Sequence, residues 1–171
     1  IDTYDDKSLS SHGIEHHRRV WNFARELMLL LAARNMISDP TLPSKSIISC
    51  YLHDIGMSVD PGIRHGHHSR KICTNFLKEN HLNEYDYTDV LSAVEDHDRK
   101  ELYSFAGKYD LLTLLSLADD LDAFGFTGIF RYSEIYLTRG NNPEDIGKKI
   151  LENAGRRFNN FSEAFTFSDE F

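Results

Sequence analysis

The chain has little cysteine, no long apolar run and too few basic residues to balance its acidic ones. Cys50 and Cys73 are the only cysteines among 171 residues, and their spacing is not that of a metal site. They are typical of buried thiols in a reducing compartment, which predicts a cytoplasmic protein. No stretch approaches the roughly 20 apolar residues of a membrane helix, so no membrane partner is expected. The formal net charge of −8 argues against nonspecific binding to duplex nucleic acid, but not against a nucleotide substrate.

Proline is also scarce, and each of the four prolines lies in a loop or at the start of a predicted helix. Between these breaks, apolar residues repeat at helical spacing, and we find neither a strand pattern of useful length nor an internal repeat. The sequence therefore predicts an all-α bundle with one domain core at residues 11–139. A polar lead-in at residues 1–10 precedes it, and a C-terminal helix at residues 140–171 packs on the core or extends it. The expected helices begin near Ser11 or Gly13, Pro43 or Ser44, His67, Thr88, Asp110, Ile129 and Asn142.

The most informative stretch is the pair His53-Asp54, which ends an apolar helix and is followed by Gly56, a residue that commonly stops a helix. Neighbouring side chains on a helix point about 100° apart, so this pair can share one ion only at the helix end or with ligands from other helices. Such ligands are available on or beside other predicted helices: His16, His65, His97 and Asp119. For the dipeptide alone, a hydrogen-bonded structural pair is the competing interpretation.

The order His16, His53-Asp54, Asp119 resembles the metal-binding signature of the HD-domain phosphohydrolases, most closely the small bacterial members. The residues around His16 and those at Leu117–Gly125 resemble the first-histidine helix and the alanine-aspartate motif of that family, and Gly128–Arg131 resembles a segment that follows it. The resemblance implies that His16, His53, Asp54 and Asp119 hold a divalent ion. Mn, Mg, Co, Ni, Fe and Zn all suit such a ligand set.

The same resemblance raises the possibility of a second ion. His65 and His97 match the third and fourth histidines of HD enzymes that bind two metals, with Asp54 as the bridging ligand. However, the chain has His97-Asp98 where two-metal phosphodiesterases often have two adjacent histidines. The count is therefore one or two ions per chain. With a single ion, His65 and His97 would face the phosphate as acid, base or hydrogen-bond donors.

Other charged residues are assigned by their neighbours in the sequence. Arg19 lies one turn from His16 and Arg64 is adjacent to His65, so both are candidates to bind the substrate phosphate. Asp122 is a candidate to orient a ligand or to bind a ribose hydroxyl. Lys100 and Asp120 are expected at the surface, and the loop from Met57 to Gly66 is expected to form the rim of a pocket.

The expected activity is metal-dependent hydrolysis of a phosphoester or phosphoanhydride bond in a small phosphorylated substrate, with nucleotides as the first class. Two alternatives stay open. A di-iron oxygenase on the same fold would bind iron and turn over only with oxygen, and a non-catalytic nucleotide-binding sensor would bind tightly without turnover. The oligomeric state is not predicted.

Overall fold

A computed structural model of the chain describes residues 13–100 and 108–165. Every regular element in these two ranges is helical, which confirms the predicted all-α class. None of these helices combines the length and hydrophobicity that a membrane span requires. The polar lead-in predicted for residues 1–10 lies outside the described residues. The seven α-helices are α1 (Ile14–Ala33), α2 (Leu42–Leu52), α3 (His65–Glu79), α4 (Thr88–Asp96), α5 (Leu111–Leu121), α6 (Gly125–Thr138) and α7 (Pro143–Ala164).

Helix α5 is the centre of the bundle. It is the most apolar helix, and it packs against α1, α2, α4 and α7. Leu114, Leu115, Leu117 and Ala118 are fully or almost fully buried, so they fix the height and rotation of α5 in the core. Burial of each leucine contributes roughly 1.5–3 kcal/mol to folding. The acidic last turn of α5 is thereby held in the interior rather than at the surface.

Two glycines allow the start of α3 to sit close to the end of α2. Gly56 lies in a short 3-10 helix (Ile55–Ser58), and a Cβ atom there would lie only 2.2 Å from the carbonyl oxygen of His65. A Cβ atom on Gly66 would approach the carbonyl oxygen of Glu95 in α4 equally closely. Larger residues at these two positions would push α3 away, so the glycines place His65 beside the His53-Asp54 pair.

Helices α6 and α7 cover the carboxyl end of α5. Gly125 begins α6 four residues earlier than expected, with φ +67°, a conformation that favours glycine. Helix α7 contacts both α5 and α6, and its buried face differs from the predicted stripe. Phe158, expected in that stripe, is 60% exposed, whereas Arg157 is buried. The α7 face against the core therefore carries a charge at its centre.

Candidate metal centre

Six predicted site residues meet in the interior, although they come from five helices. His16 lies on α1, His53 and Asp54 follow the end of α2, and Asp119 lies on the last turn of α5. The others are His65, the first residue of α3, and His97, directly after α4. All six side chains are buried. Two sets of three ligand atoms lie within 4.8 Å of one another: those of His16, His53 and Asp119, and those of His53, Asp54 and His97.

The first half of the cluster surrounds the Nε2 atoms of His16 and His53, which are 3.2 Å apart. Asp54 Oδ2 lies 3.4 Å from each of these two nitrogens. Asp119 Oδ1 approaches His16 Nε2 from α5 at 3.7 Å. These four residues are the first-site ligands that the sequence predicts, and the fold brings them all together.

The second half surrounds the Nε2 atoms of His65 and His97, which are 3.4 Å apart. Here the other oxygen of the same aspartate, Asp54 Oδ1, lies 3.4 Å from His65 Nε2 and 3.1 Å from His97 Nε2. Asp54 therefore faces one histidine pair with each carboxylate oxygen. This is the position required of a carboxylate that bridges two cations.

The Nδ1 atoms of the four histidines all point away from the centre, towards oxygen acceptors. In three of them Nδ1 donates to the carbonyl three residues earlier: His53 to Cys50 at 2.9 Å, His65 to Gly62 at 2.8 Å and His97 to Val94 at 2.9 Å. The fourth, His16, donates from Nδ1 to the carboxylate of another residue at 2.8 Å. A carbonyl can only accept, so Nδ1 carries a proton, and the Nε2 lone pair of each neutral imidazole faces the centre.

The electrostatics of the centre differ between its histidines: they favour a neutral His53 and an ionised Asp54, but a protonated His97. Burial lowers the pKa of His53, and it lowers the pKa of the adjacent His17 to about 3. Burial alone would raise the pKa of Asp54, but the charge of His53 and hydrogen bonds from three histidines outweigh it and hold the pKa well below the usual range. Burial also lowers the pKa of His97, yet its hydrogen bond to Asp54 and the Asp54 charge outweigh that and raise it to about 9.

Asp122 positions His16, and Asp122 also binds Arg19, which the sequence predicts as a phosphate ligand. Asp122 Oδ2 accepts from His16 Nδ1 and from Arg131 Nη1, each at 2.8 Å, while Asp122 Oδ1 accepts from Arg19 Nε at 2.6 Å. The structure does not bring Arg64 to the cluster: its side chain is 77% exposed and contacts Asp60 Oδ2 at 3.3 Å. Phosphate binding by Arg19 and Arg64 stays a prediction. The contact of Asp122 with His16 Nδ1 orients that imidazole.

A buried cation pair supports Asp119 from behind, and the sequence analysis missed it. Lys100 Nζ lies 3.3 Å and Arg157 Nη1 3.2 Å from Asp119 Oδ2, and both also contact Asp120 Oδ1 very closely. The surface positions predicted for Lys100 and Asp120 are wrong, because Lys100 is 11% exposed and Asp120 is fully buried. Burial opposes ionisation of Asp119, but the charges of Lys100 and Arg157 hold its pKa well below the usual range. With Oδ2 engaged, Asp119 presents Oδ1 to the centre.

A polar cavity of about 280 Å³ opens onto the second half of the cluster. Its inner surface includes Asp54, His65, His97 and Asp119, and its rim includes Met57 from the loop predicted to border a pocket. The opposite wall comes from α6 and α7, and it carries four arginines: Arg131, Arg139, Arg156 and Arg157. The volume is at the lower end of the range of small-molecule sites, and a wall of guanidinium groups suits an anion.

Comparison with known proteins gives one match. The family model of the HD domain matches residues 13–124, from the start of α1 to just beyond α5. No curated protein and no solved structure matches the chain. The matched range contains all six residues of the centre, whereas the arginine-rich wall on α6 and α7 follows it.

Proposed function

Because the chain belongs to the HD domain family, we propose that it is a metal-dependent phosphohydrolase that cleaves a phosphoester or phosphoanhydride bond in a small substrate. The family consists mainly of metal-dependent hydrolases, and the histidine-aspartate cluster can hold a metal. We propose nucleotides as the first substrate class to test, since a cavity of about 280 Å³ suits a small phosphorylated molecule.

One observation carries the proposal: the imidazole Nε2 atoms of two histidine pairs converge at short distance. His16 and His53 oppose Nε2 atoms at 3.2 Å, and His65 and His97 do so at 3.4 Å. With the protons held on Nδ1, two neutral imidazoles in either arrangement repel each other, unless a divalent ion or, in the second pair, the extra proton of His97 lies between the nitrogens. A divalent ion satisfies both lone pairs, and the adjacent Asp54 and Asp119 oxygens complete a donor set of imidazole and carboxylate that suits divalent metals.

The geometry favours two ions over one. Asp54 supplies a different oxygen to each histidine pair, and each pair has its own anchored Nδ1 hydrogen bonds. A single ion at the first site would leave the His65–His97 pair with only the extra proton of His97, and a single ion at the second site would leave the His16–His53 pair unrelieved. We therefore infer a first site with ligands from His16, His53, Asp54 and Asp119, and a second site with ligands from Asp54, His65 and His97.

The chemistry divides between the ions and the arginine wall. A bound divalent metal would supply Lewis acidity and would lower the pKa of its water, in the case of zinc from 15.7 to about 7. Arg131 and Arg157 are held by Asp122 and by Asp119, respectively, so their guanidinium groups are fixed in the wall of the cavity. There they can offset negative charge on a phosphoryl group. The buried surroundings of the centre exclude most solvent, which strengthens these interactions.

The test is phosphate release from a panel of nucleotides and other phosphorylated molecules, with Mn²⁺, Mg²⁺, Co²⁺, Ni²⁺, Fe²⁺ or Zn²⁺, in air and under argon. We expect metal-dependent release that is independent of oxygen. Asp54→Asn should abolish it while the helical circular dichroism stays unchanged, because Asp54 is a ligand in either site. Asp89→Asn is the matched control and should retain activity, because Asp89 is an exposed residue of α4 that pairs with Lys45.

Three results would contradict the proposal. If Asp54→Asn turns over at the wild-type rate at saturating metal, the proposed mechanism is wrong. Turnover that needs oxygen would identify an oxygenase instead. Metal binding without any turnover would point to a sensor, and binding can be followed separately: a metal at 100 times its dissociation constant stabilises the fold by about 2.7 kcal/mol.

A further inference from the structure

Two of the four arginines in the cavity wall have no carboxylate partner among the described residues. Arg131 is paired with Asp122 at 2.8 Å, and Arg157 is paired with Asp119 at 3.2 Å. By contrast, the side chain of Arg139 makes one polar contact within residues 13–100 and 108–165, a 3.3 Å hydrogen bond from Nη2 to the carbonyl of Pro61. The side chain of Arg156 has neither a hydrogen bond nor an ion pair within the described ranges. The charges of Arg139 and Arg156 are therefore available to a bound anion.

Arg156 also lies where two cavities meet. The cavity of about 280 Å³ over the metal centre shares Asp98, Asn153, Arg156 and Arg157 with a second cavity of about 460 Å³. The second cavity contains none of the metal-centre residues. A molecule whose reacting phosphate lies at the metal centre would therefore pass Arg156 on its way into the second cavity.

The local charge at this junction contrasts with the charge of the chain. The formal net charge of the protein is −8, yet the wall of the first cavity contributes two guanidinium groups for which the described part of the chain offers no carboxylate partner. Asp98 lines both cavities and offsets one of these charges. One net positive charge remains beside the ions of the proposed metal sites, so the junction attracts an anion. A guanidinium group can bind a phosphoryl group with two parallel hydrogen bonds.

We propose that the substrate carries two phosphoryl groups, one at the metal centre and the second on Arg156, with Arg139 assisting at the rim. The inference rests on the proposed function and narrows its substrate class to phosphoanhydrides and bisphosphates, as opposed to singly phosphorylated molecules. Arg156 is then the residue that determines this specificity. It belongs to α7, beyond the 13–124 range that the HD domain model matches.

The first experiment measures binding without turnover. Methylenediphosphonate and methylphosphonate, which differ by one anionic group and have no hydrolysable P–O–P bond, are titrated calorimetrically into protein in excess Mg²⁺. We expect wild type to prefer the diphosphonate. Arg156→Gln should reduce that preference by about 10- to 100-fold, the effect of losing a hydrogen-bonded charged group. Chelation of Mg²⁺ by the diphosphonate is the same for every variant, so it cancels in the comparison.

Lys148→Gln is the matched control, because it removes one positive charge from the same helix at a side chain that is 79% exposed. It should keep the wild-type preference, which separates a specific contact from general charge. Arg139→Gln should reduce the preference less than Arg156→Gln, since Arg139 is partly committed to Pro61. The inference fails if wild type binds both phosphonates equally, or if Lys148→Gln and Arg156→Gln lower the preference alike.

The second experiment compares kcat/KM for a substrate with two phosphates and for one with a single phosphate. Arg156→Gln should lower kcat/KM for the first about 10-fold or more, and change the second by less than about 3-fold. If wild type with metal releases phosphate but Arg156→Gln affects both substrates equally, the inference fails while the proposed function stands. If wild type releases none, the proposed function fails, and the phosphonate titration still decides whether Arg156 selects a second anion.

Discussion

Replacing Lys100 by methionine tests whether the buried charges behind Asp119 act as one unit. Methionine keeps much of the length of the side chain and removes only the charge. In the wild type, Lys100 Nζ lies 3.1 Å from the Ser116 carbonyl and 3.3 Å from Asp119 Oδ2, and it also contacts Asp120. After the change, the pair of cations formed by Lys100 and Arg157 is reduced to Arg157, which has to neutralise both Asp119 and Asp120.

The size of the loss follows from that burial. Asp120 is fully buried, and Lys100 is 11% exposed. Removing one partner of a buried ion pair costs about 3–5 kcal/mol, because the remaining charge stays uncompensated. For a chain of this length, 1 kcal/mol corresponds to about 2–4 °C, so the melting temperature should fall by roughly 6–20 °C. Lys148→Met, an exposed lysine on α7, should change the free energy of unfolding by no more than about 0.5 kcal/mol.

The assay is thermal unfolding followed by circular dichroism, in chelator, so that metal binding does not contribute. A double variant, Lys100→Met with Asp120→Asn, provides the decisive comparison: neutralising Asp120 removes the uncompensated charge and should recover at least half of the loss. The reasoning is refuted if the single variant melts within 2 °C of wild type. It is equally refuted if the double variant loses as much as the two single variants added together, since independent sites show such additivity.

Two further predictions concern the metal itself. By elemental analysis after metal loading, His97→Gln should lose the ion of the second site and His16→Gln the ion of the first site, about one ion per chain in each case. A wild type that holds no more than one ion in metal excess would refute the two-site assignment. Metal binding should also tighten with pH: burial lowers the pKa of His97, but its hydrogen bond to Asp54 and the Asp54 charge raise it from 6.5 to about 9. In metal-free protein, protonated His97 stabilises the fold fully below pH 6.5, and this stabilisation is lost as the pH rises through 9. A metal ion that binds His97 must displace the same proton. Calorimetry in buffers of different ionisation heat should detect this proton release below about pH 9. An affinity that does not change with pH below 9 would contradict the prediction.

The sequence predicts the helices and the candidate metal ligands because both depend on short stretches of the chain. Apolar periodicity is a local property, so the all-α class and the central position of α5 follow from it directly. The ligands come from short motifs at the ends of these helices, and the resemblance to the HD family is confirmed by the match over residues 13–124. Once α2, α4 and α5 pack, the histidines and aspartates that follow or end them have to meet.

The arginine wall and the buried cations could not be predicted in the same way. Lys100 lies in a polar stretch and Asp120 directly follows another aspartate, and only the packing of α7 against α5 reveals that both are interior. A signal did exist for Arg157, which lies seven residues after Ile150 and four before Phe161, in register with the apolar stripe of α7. A charge in a buried stripe requires a partner, and here the partners are Asp119 and Asp120 on another helix. Such long-range pairing is invisible to periodicity.

The carbonyl anchors of His53, His65 and His97 make the centre robust to mutation at neighbouring positions. Each imidazole is oriented by the main chain of Cys50, Gly62 or Val94, so no side-chain substitution at those three positions can delete the acceptor. Those positions are free to vary under packing constraints alone, while the histidines are not. His16 differs, because its anchor is the side chain of Asp122, so these two residues have to change together. Among relatives of this chain, covariation should therefore link His16 with Asp122, and the other three histidines should show no covarying partner at their anchor positions.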